Sequence, residues 1–246
     1  MDSTQLPIKL NEALLAENYD QLKKTDKSKF IKDNLIGLVG CIPAIGAWMS
    51  SAISGGISYS DAALFRKIYA FVYELKDTSH DERSKFINEI EDKANDTAGS
   101  VLCEMINRMD NINKAMVLAN LTKARINGEI SIEDFFRLAV VCERIPYTDF
   151  CFLKDFEEEA MIDGGVTEIL YASGTLIQRT IDDEENHYTL SSSGRKLLKY
   201  GLSSEVNLEV KNATFIPDIG IEDIDKMISQ KNDDRAMFDF DVSRGK

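Results

Sequence analysis

From Asp61 to Ile145 the apolar side chains recur at steps of three and four residues. That spacing gathers them on one stripe of an α-helix and on no single face of a strand. In "DAALFRKIYAFVYELKD" the stripe is Leu64, Phe65, Ile68, Phe71, Val72 and Leu75. Phe86 and Ile90 mark the next helix, and Val101, Leu102, Met105, Ile106 and Met109 the one after it. "INKAMVLANLTKARING" reads as a further amphipathic helix, stopped by Gly128 after Asn127. "SIEDFFRLAVVCERI" opens with Ser131 and Asp134 in a capping-box arrangement and ends at Pro146. Ser60 or Asp61 is expected to cap the first of these helices, and Thr148 to cap another in "YTDFCFLKDFEEEA". Amphipathic helices in series must bury their stripes on one another, so a mainly α fold, a helical bundle, is expected.

At 246 residues the chain can bury a substantial core as one large domain or two small ones. We divide it into a polar lead-in (1–33), a helical domain with an uncharged Gly-rich hairpin (34–112), a third unit (113–202) and a tail (203–246). In the lead-in, "LNEALLAENYDQLKK" spaces Leu10, Leu14, Leu15 and Leu22 like a helix, and the first thirty residues do not resemble a secretory signal. The tail alternates Val206, Leu208 and Val210 like a strand, and "IEDIDKMIS" reads as a short helix.

After Asp163 the pattern changes. A short helix stops at Gly174, "TLIQRTI" and "HYTLS" read as strands, and the acidic tip "DDEEN" joins them as a hairpin. Ser193 is expected to cap the helix that carries Leu197, Leu198 and Tyr200. The stretch "LYASGTLIQRTIDDEENHYTLSSSGRKLL" resembles the recognition helix, wing and following helix of winged-helix proteins. Tyr188, Leu190, Ser191, Gly194 and Leu197 match the pattern that closes the wing. The resemblance implies a winged-helix-like module with a small β-hairpin, preceded by helices from about Asn113 to Glu159. The order of the whole chain is also loosely similar to that of helical bacterial proteins associated with phage defence.

Charge argues against the DNA-reading role of that family. Gly165 to Gly174 holds no Lys or Arg, and the wing tip is Asp182, Asp183, Glu184 and Glu185. Asp155, Glu158 and Glu159 lie just upstream, and the whole chain carries a net charge of −13. Phosphate contacts require clustered cations, so these acids repel DNA. Winged helices without basic faces serve as protein-interaction modules, and the acids are then the partner-binding surface.

Asn34 to Ser60 is a run without one charged side chain. Its glycines, serines and Pro43 leave only about fifteen apolar residues where a span needs about 20. The first reading is a pair of short buried helices broken near Pro43. The alternative is conditional membrane contact through Leu35, Leu38, Ile42, Ile45, Trp48 and Met49, with Lys23, Lys24 and Lys27 on the lipid headgroups. Gly46 and Ser50, at small-xxx-small spacing, permit close helix packing and a homo-oligomer contact.

No nucleophile elbow, P-loop, dinucleotide fingerprint or zinc-protease motif occurs in the chain. Cys41, Cys103, Cys142 and Cys151 have no C-x-x-C spacing and read as core thiols in a reducing cytosol. His80 reads as a residue of an exposed turn, and His187 sits beside four acids. No metal, cofactor or enzymatic activity is expected. The expected function is protein binding or regulation in the cytoplasm, with a membrane-active effector and a transcription regulator as the alternatives.

Overall fold

The structure, a computed structural model, describes residues 5–17, 19, 59–156, 164–182 and 185–202. It is mainly helical, with one small antiparallel sheet. Helices α1 (Gln5–Leu14), α2 (Tyr59–Glu74), α3 (His80–Ala94), α4 (Ala98–Arg108), α5 (Ile112–Ile126) and α6 (Ile132–Arg144) form a bundle. A 3₁₀ helix (Tyr147–Phe156) follows, then α7 (Gly165–Ala172), strands β1 (Leu176–Asp182) and β2 (Glu185–Leu190), α8 (Ser192–Lys196) and a π-helical turn (Leu197–Gly201). The uncharged run up to residue 58 and the tail from residue 203, with its expected strand and helix, lie outside the described residues.

The starts of several helices follow from side-chain caps. At α3 the Ser79 hydroxyl accepts from Glu82 N–H, while the Glu82 carboxylate accepts from Ser79 N–H at 2.7 Å. This reciprocal pair makes "DTSHDERS" a helix start rather than the exposed turn expected, with His80 as the first helical residue. Thr97 caps α4 and Asn111 caps α5. Ser131 caps α6 as expected, its hydroxyl accepting from Asp134 N–H at 3.1 Å. Gly128, at φ +74°, takes the left-handed conformation that ends α5.

Other boundaries differ from expectation. Helix α2 starts at Tyr59, which puts Ser60 and Asp61 inside it rather than at its cap. The Tyr147–Phe156 segment is a 3₁₀ helix, and Thr148 lies within it, its hydroxyl 2.9 Å from Asp149 Oδ1. Ser191, not Ser193, caps α8. The strands extend through Asp182 and from Glu185, so Asp182, Glu185 and Asn186, expected in the acidic loop, belong to the ladder. Ladder pairing along the hairpin outweighs the weak strand preference of Asp, Glu and Asn.

Helix α5 is the centre of the bundle. Every residue from Lys114 to Thr122 is buried, because α2, α3, α6 and the π-helical turn surround it. It is therefore buried all round where an amphipathic helix was expected. Phe65, Phe71, Leu118, Leu121, Phe135 and Leu138 form part of one continuous core, each burial contributing roughly 1.5–3 kcal/mol. The Phe86 and Phe135 rings meet edge to face, with centroids 5.2 Å apart.

Helix α1 joins this core through Leu6, Leu10, Ala13 and Leu14. It lies so close to α4 that a Cβ on Gly99 would overlap the Pro7 carbonyl oxygen. Arg83 of α3 holds its far end. The guanidinium is buried and donates to the carbonyls of Leu14 (2.8 Å), Ala16 (2.6 Å) and Thr78. It also stacks 3.8 Å from the centroid of the Tyr19 ring, whose hydroxyl donates to Ala13 O at 2.6 Å.

The same device recurs at two other helix ends. Lys67 of α2 donates to the carbonyls of Asn107 (3.0 Å) and Met109 (2.8 Å) at the end of α4. Lys114 of α5 reaches the Glu143 carbonyl near the end of α6 at 3.1 Å and pairs with Asp110 at 2.8 Å. Each cation meets carbonyls that lack an intrahelical donor, at the negative end of the helix dipole.

Arg83→Met keeps most of the buried stem but strips the donors from three carbonyls. It should lower unfolding stability by about 3 kcal/mol in a denaturant titration, whereas Lys85→Met on the exposed side of α3 should stay within about 0.5 kcal/mol. Burial pushes the Tyr19 hydroxyl up to about 12, partly opposed by Arg83. Its ordinary value is about 10, so this contribution is complete below that pH and disappears as pH rises through the folded value. Over that alkaline window the Tyr19→Phe variant should lose stability less steeply than the wild type, as read by chemical unfolding at stepped pH.

Candidate functional site

The sequence points to the hairpin and the segment before it, and the geometry of that module is set at its base. Helix α7 ends in a turn in which Gly174 takes φ +82°. The Leu170 carbonyl accepts from Ser173 Oγ (2.8 Å), Thr175 Oγ1 (2.7 Å) and Thr175 N–H (3.1 Å). The exit from β2 closes onto this turn. Ser191 N–H donates to Thr175 O at 2.8 Å, and its hydroxyl donates to Gly174 O at 2.7 Å while accepting from Gly194 N–H at 3.0 Å. One serine thus ties both ends of the hairpin together and caps α8.

Gly194 is required for that closure. A Cβ at this position would overlap the Thr175 carbonyl oxygen and press on Leu190. Leu176 and Leu190 pair across the first register position, both buried, and Leu197 fills the core below them. The residues of the wing-closing pattern therefore have local physical roles at the base of the hairpin.

Further out the pairing is Ile177 with Thr189 and Gln178 with Tyr188. The register then shifts, and Thr180 pairs with His187. The extra residue, Arg179, makes an irregularity of the kind that bends a strand and raises its twist. The Tyr188 ring meets Tyr171 of α7 edge to face, with centroids 5.6 Å apart, so the helix braces the hairpin.

At the closed end the register puts Asp182 opposite Glu185. Like charges facing across a ladder weaken a hairpin by a few tenths of a kcal/mol. Asp155 belongs to the 3₁₀ helix. Asp183, Glu184, Glu158 and Glu159 lie outside the described residues, as do Lys23, Lys24, Lys27 and the whole set Leu35, Leu38, Ile42, Ile45, Gly46, Trp48, Met49 and Ser50. Of the acids singled out in the sequence, the backbone brings Asp182 and Glu185 together.

Helix α7 presents Glu168, Ile169 and Tyr171 to solvent and buries Thr167 and Leu170. Two contacts that the sequence reading did not include fasten the module to the bundle. Lys196 of α8 bridges to Asp134 of α6 at 2.5 Å, which holds the Asp134 carboxyl below its ordinary range. Asn120 of the central helix donates to the Gly201 carbonyl at 3.1 Å. The signal for the second was a lone amide in the apolar run "MVLANL".

Among the described residues no group of three or more His, Cys, Asp and Glu is arranged to hold a metal. Cys103 and Cys142 are buried as expected of core thiols, and burial pushes them up to about 11 and about 12. They stay protonated at neutral pH. Cys151 is half-buried and donates to Thr148 O, and Cys41 lies outside the described residues. Among the described residues no helix is long and apolar enough to cross a membrane.

Gly194→Ala should force the base of the hairpin apart. The expected cost is about 2 kcal/mol of stability, with faster amide exchange in β1 and β2 than in α5. Compared with known proteins, the chain matches no family model, no curated protein and no solved structure.

Proposed function

We propose that this protein acts by binding and regulating another protein, through a winged-helix-like module whose acidic surface receives a basic partner. The observation that carries this reading is the hairpin. Its base is locked by Ser191 and Gly194, and its closed end sets Asp182 against Glu185. Like charges at facing ladder positions disfavour the pairing, so a partner that supplies cations there would relieve it.

The order of helix, hairpin and capped helix supports the winged-helix comparison. The surface of α7, with Glu168, Ile169 and Tyr171 exposed and no Lys or Arg, supports a protein partner over a phosphate backbone. The layout resemblance supports a regulatory role in a bacterial defence setting.

The test is affinity capture from the native host followed by reconstitution with the purified partner. Neutralising Asp182, Asp183, Glu184 and Glu185 to their amides should weaken partner affinity at least tenfold at low salt. Unchanged affinity would show that the hairpin end is not the contact.

A further inference from the structure

We propose that Asn127 is a site of spontaneous covalent modification, deamidation through a succinimide, which the hydrogen bonds ending α5 hold shut. Asn127–Gly128 is the one Asn-Gly pair in the chain. Glycine shields its own nitrogen least, since no side chain stands beside it. Asn127, Gly128 and Glu129 are all exposed, and a Cβ on Gly128 would meet nothing within 4 Å. Hydroxide and water therefore reach both reacting groups.

Hydroxide takes the Gly128 amide proton, and the nitrogen attacks Asn127 Cγ. The new N–Cγ bond closes a five-membered imide, and the side-chain amide nitrogen leaves as ammonia with a proton from water. A water molecule then opens the imide. Breaking the N–Cγ bond gives aspartate, and breaking the original peptide bond gives isoaspartate, in which the chain runs on through Cγ. Nothing is oxidised or reduced.

The end of α5 opposes the first of these steps. Asn127 sits at φ −74° and ψ −4°, still helical, and Gly128 follows at φ +74°. Gly128 N–H donates to Arg125 O at 3.0 Å, and Glu129 N–H donates to Ala124 O at 2.9 Å. This pair of bonds is a Schellman motif, and the attacking nitrogen belongs to it. Bringing that nitrogen onto Cγ requires rotation about the Asn127 ψ, which breaks both bonds. The Arg125 side chain closes the far side of the turn. Its Nη1 donates to Ile130 O at 3.2 Å, while Nε and Nη2 hold both carboxylate oxygens of Glu89 on α3, at 2.9 and 2.7 Å.

The reaction therefore proceeds only from molecules in which this end has opened, and it is one-way. Either product adds negative charge at the C-terminal end of α5, where the helix dipole is already negative. Isoaspartate also lengthens the main chain by one carbon, so the two bonds cannot reform in register.

Peptide mapping by mass spectrometry of the full chain, aged at mildly alkaline pH, tests this. In concentrated guanidinium chloride Asn127 should convert readily. The native chain should convert at least about tenfold more slowly, because the rate follows the fraction of molecules that are open. Glu89→Gln leaves the sequence around Asn127 untouched but loosens Arg125. It should raise the native rate about threefold while the rate in denaturant and the melting temperature stay at wild-type values. Equal rates in the native and denatured chain overturn the proposal, as does a denatured chain that keeps the amide. A native rate that Glu89→Gln leaves unchanged overturns the hold assigned to Arg125.

Discussion

Arg83 is the interaction on which the position of the first helix depends. A guanidinium stripped of water costs several kcal/mol unless its donors are met. Here they are met by carbonyls that also lacked partners, at the C-terminal end of α1 and in the turn before α3. Two deficits cancel, since the helix end needs donors and the buried cation needs acceptors. Burial pulls the Arg83 pKa below its ordinary value, yet a guanidinium stays charged at any physiological pH. Lys67 and Lys114 repeat the arrangement at α4 and α6, so three helix ends are terminated by a cation from another helix. Local capping would fix only where a helix stops. These contacts also fix which neighbour it stops against.

The hairpin module shows the same economy in hydrogen bonds. Ser191 makes four of them, and they connect the end of α7, the exit of β2 and the start of α8. Gly194 allows the approach, and Leu176 with Leu190 seals it from water. From that base the module reaches back to the bundle through Lys196 and Asn120. The hairpin is thus anchored in the same core that α5 organises.

Much of the bundle was legible in the sequence. The stripes of α2, α4 and α6 fall where the three- and four-residue spacing puts them, and Gly128 and Gly174 stop helices with positive φ. Boundaries were less legible, because several residues can cap and only packing selects one. Ser79 and Ser191 prevailed where a turn and Ser193 were expected. The buried cations had a faint signal, in that Arg83 lies one turn before Ile87 and two before Ile90 on the buried face. Periodicity alone cannot distinguish such a residue from a solvated one. For the candidate site the acids were legible as composition, but the register that sets Asp182 opposite Glu185 was not.

By itself the sequence determined the helical class, the hairpin and the sign of its tip, because side-chain period and charge are properties of neighbouring residues. The tertiary structure decided that α5 is buried all round, that α1 belongs to the core, and that Lys196 of α8 bridges to Asp134 of α6. Those facts depend on residues tens of positions apart coming into contact. Their energies exist only once the chain has closed, so no local pattern records them.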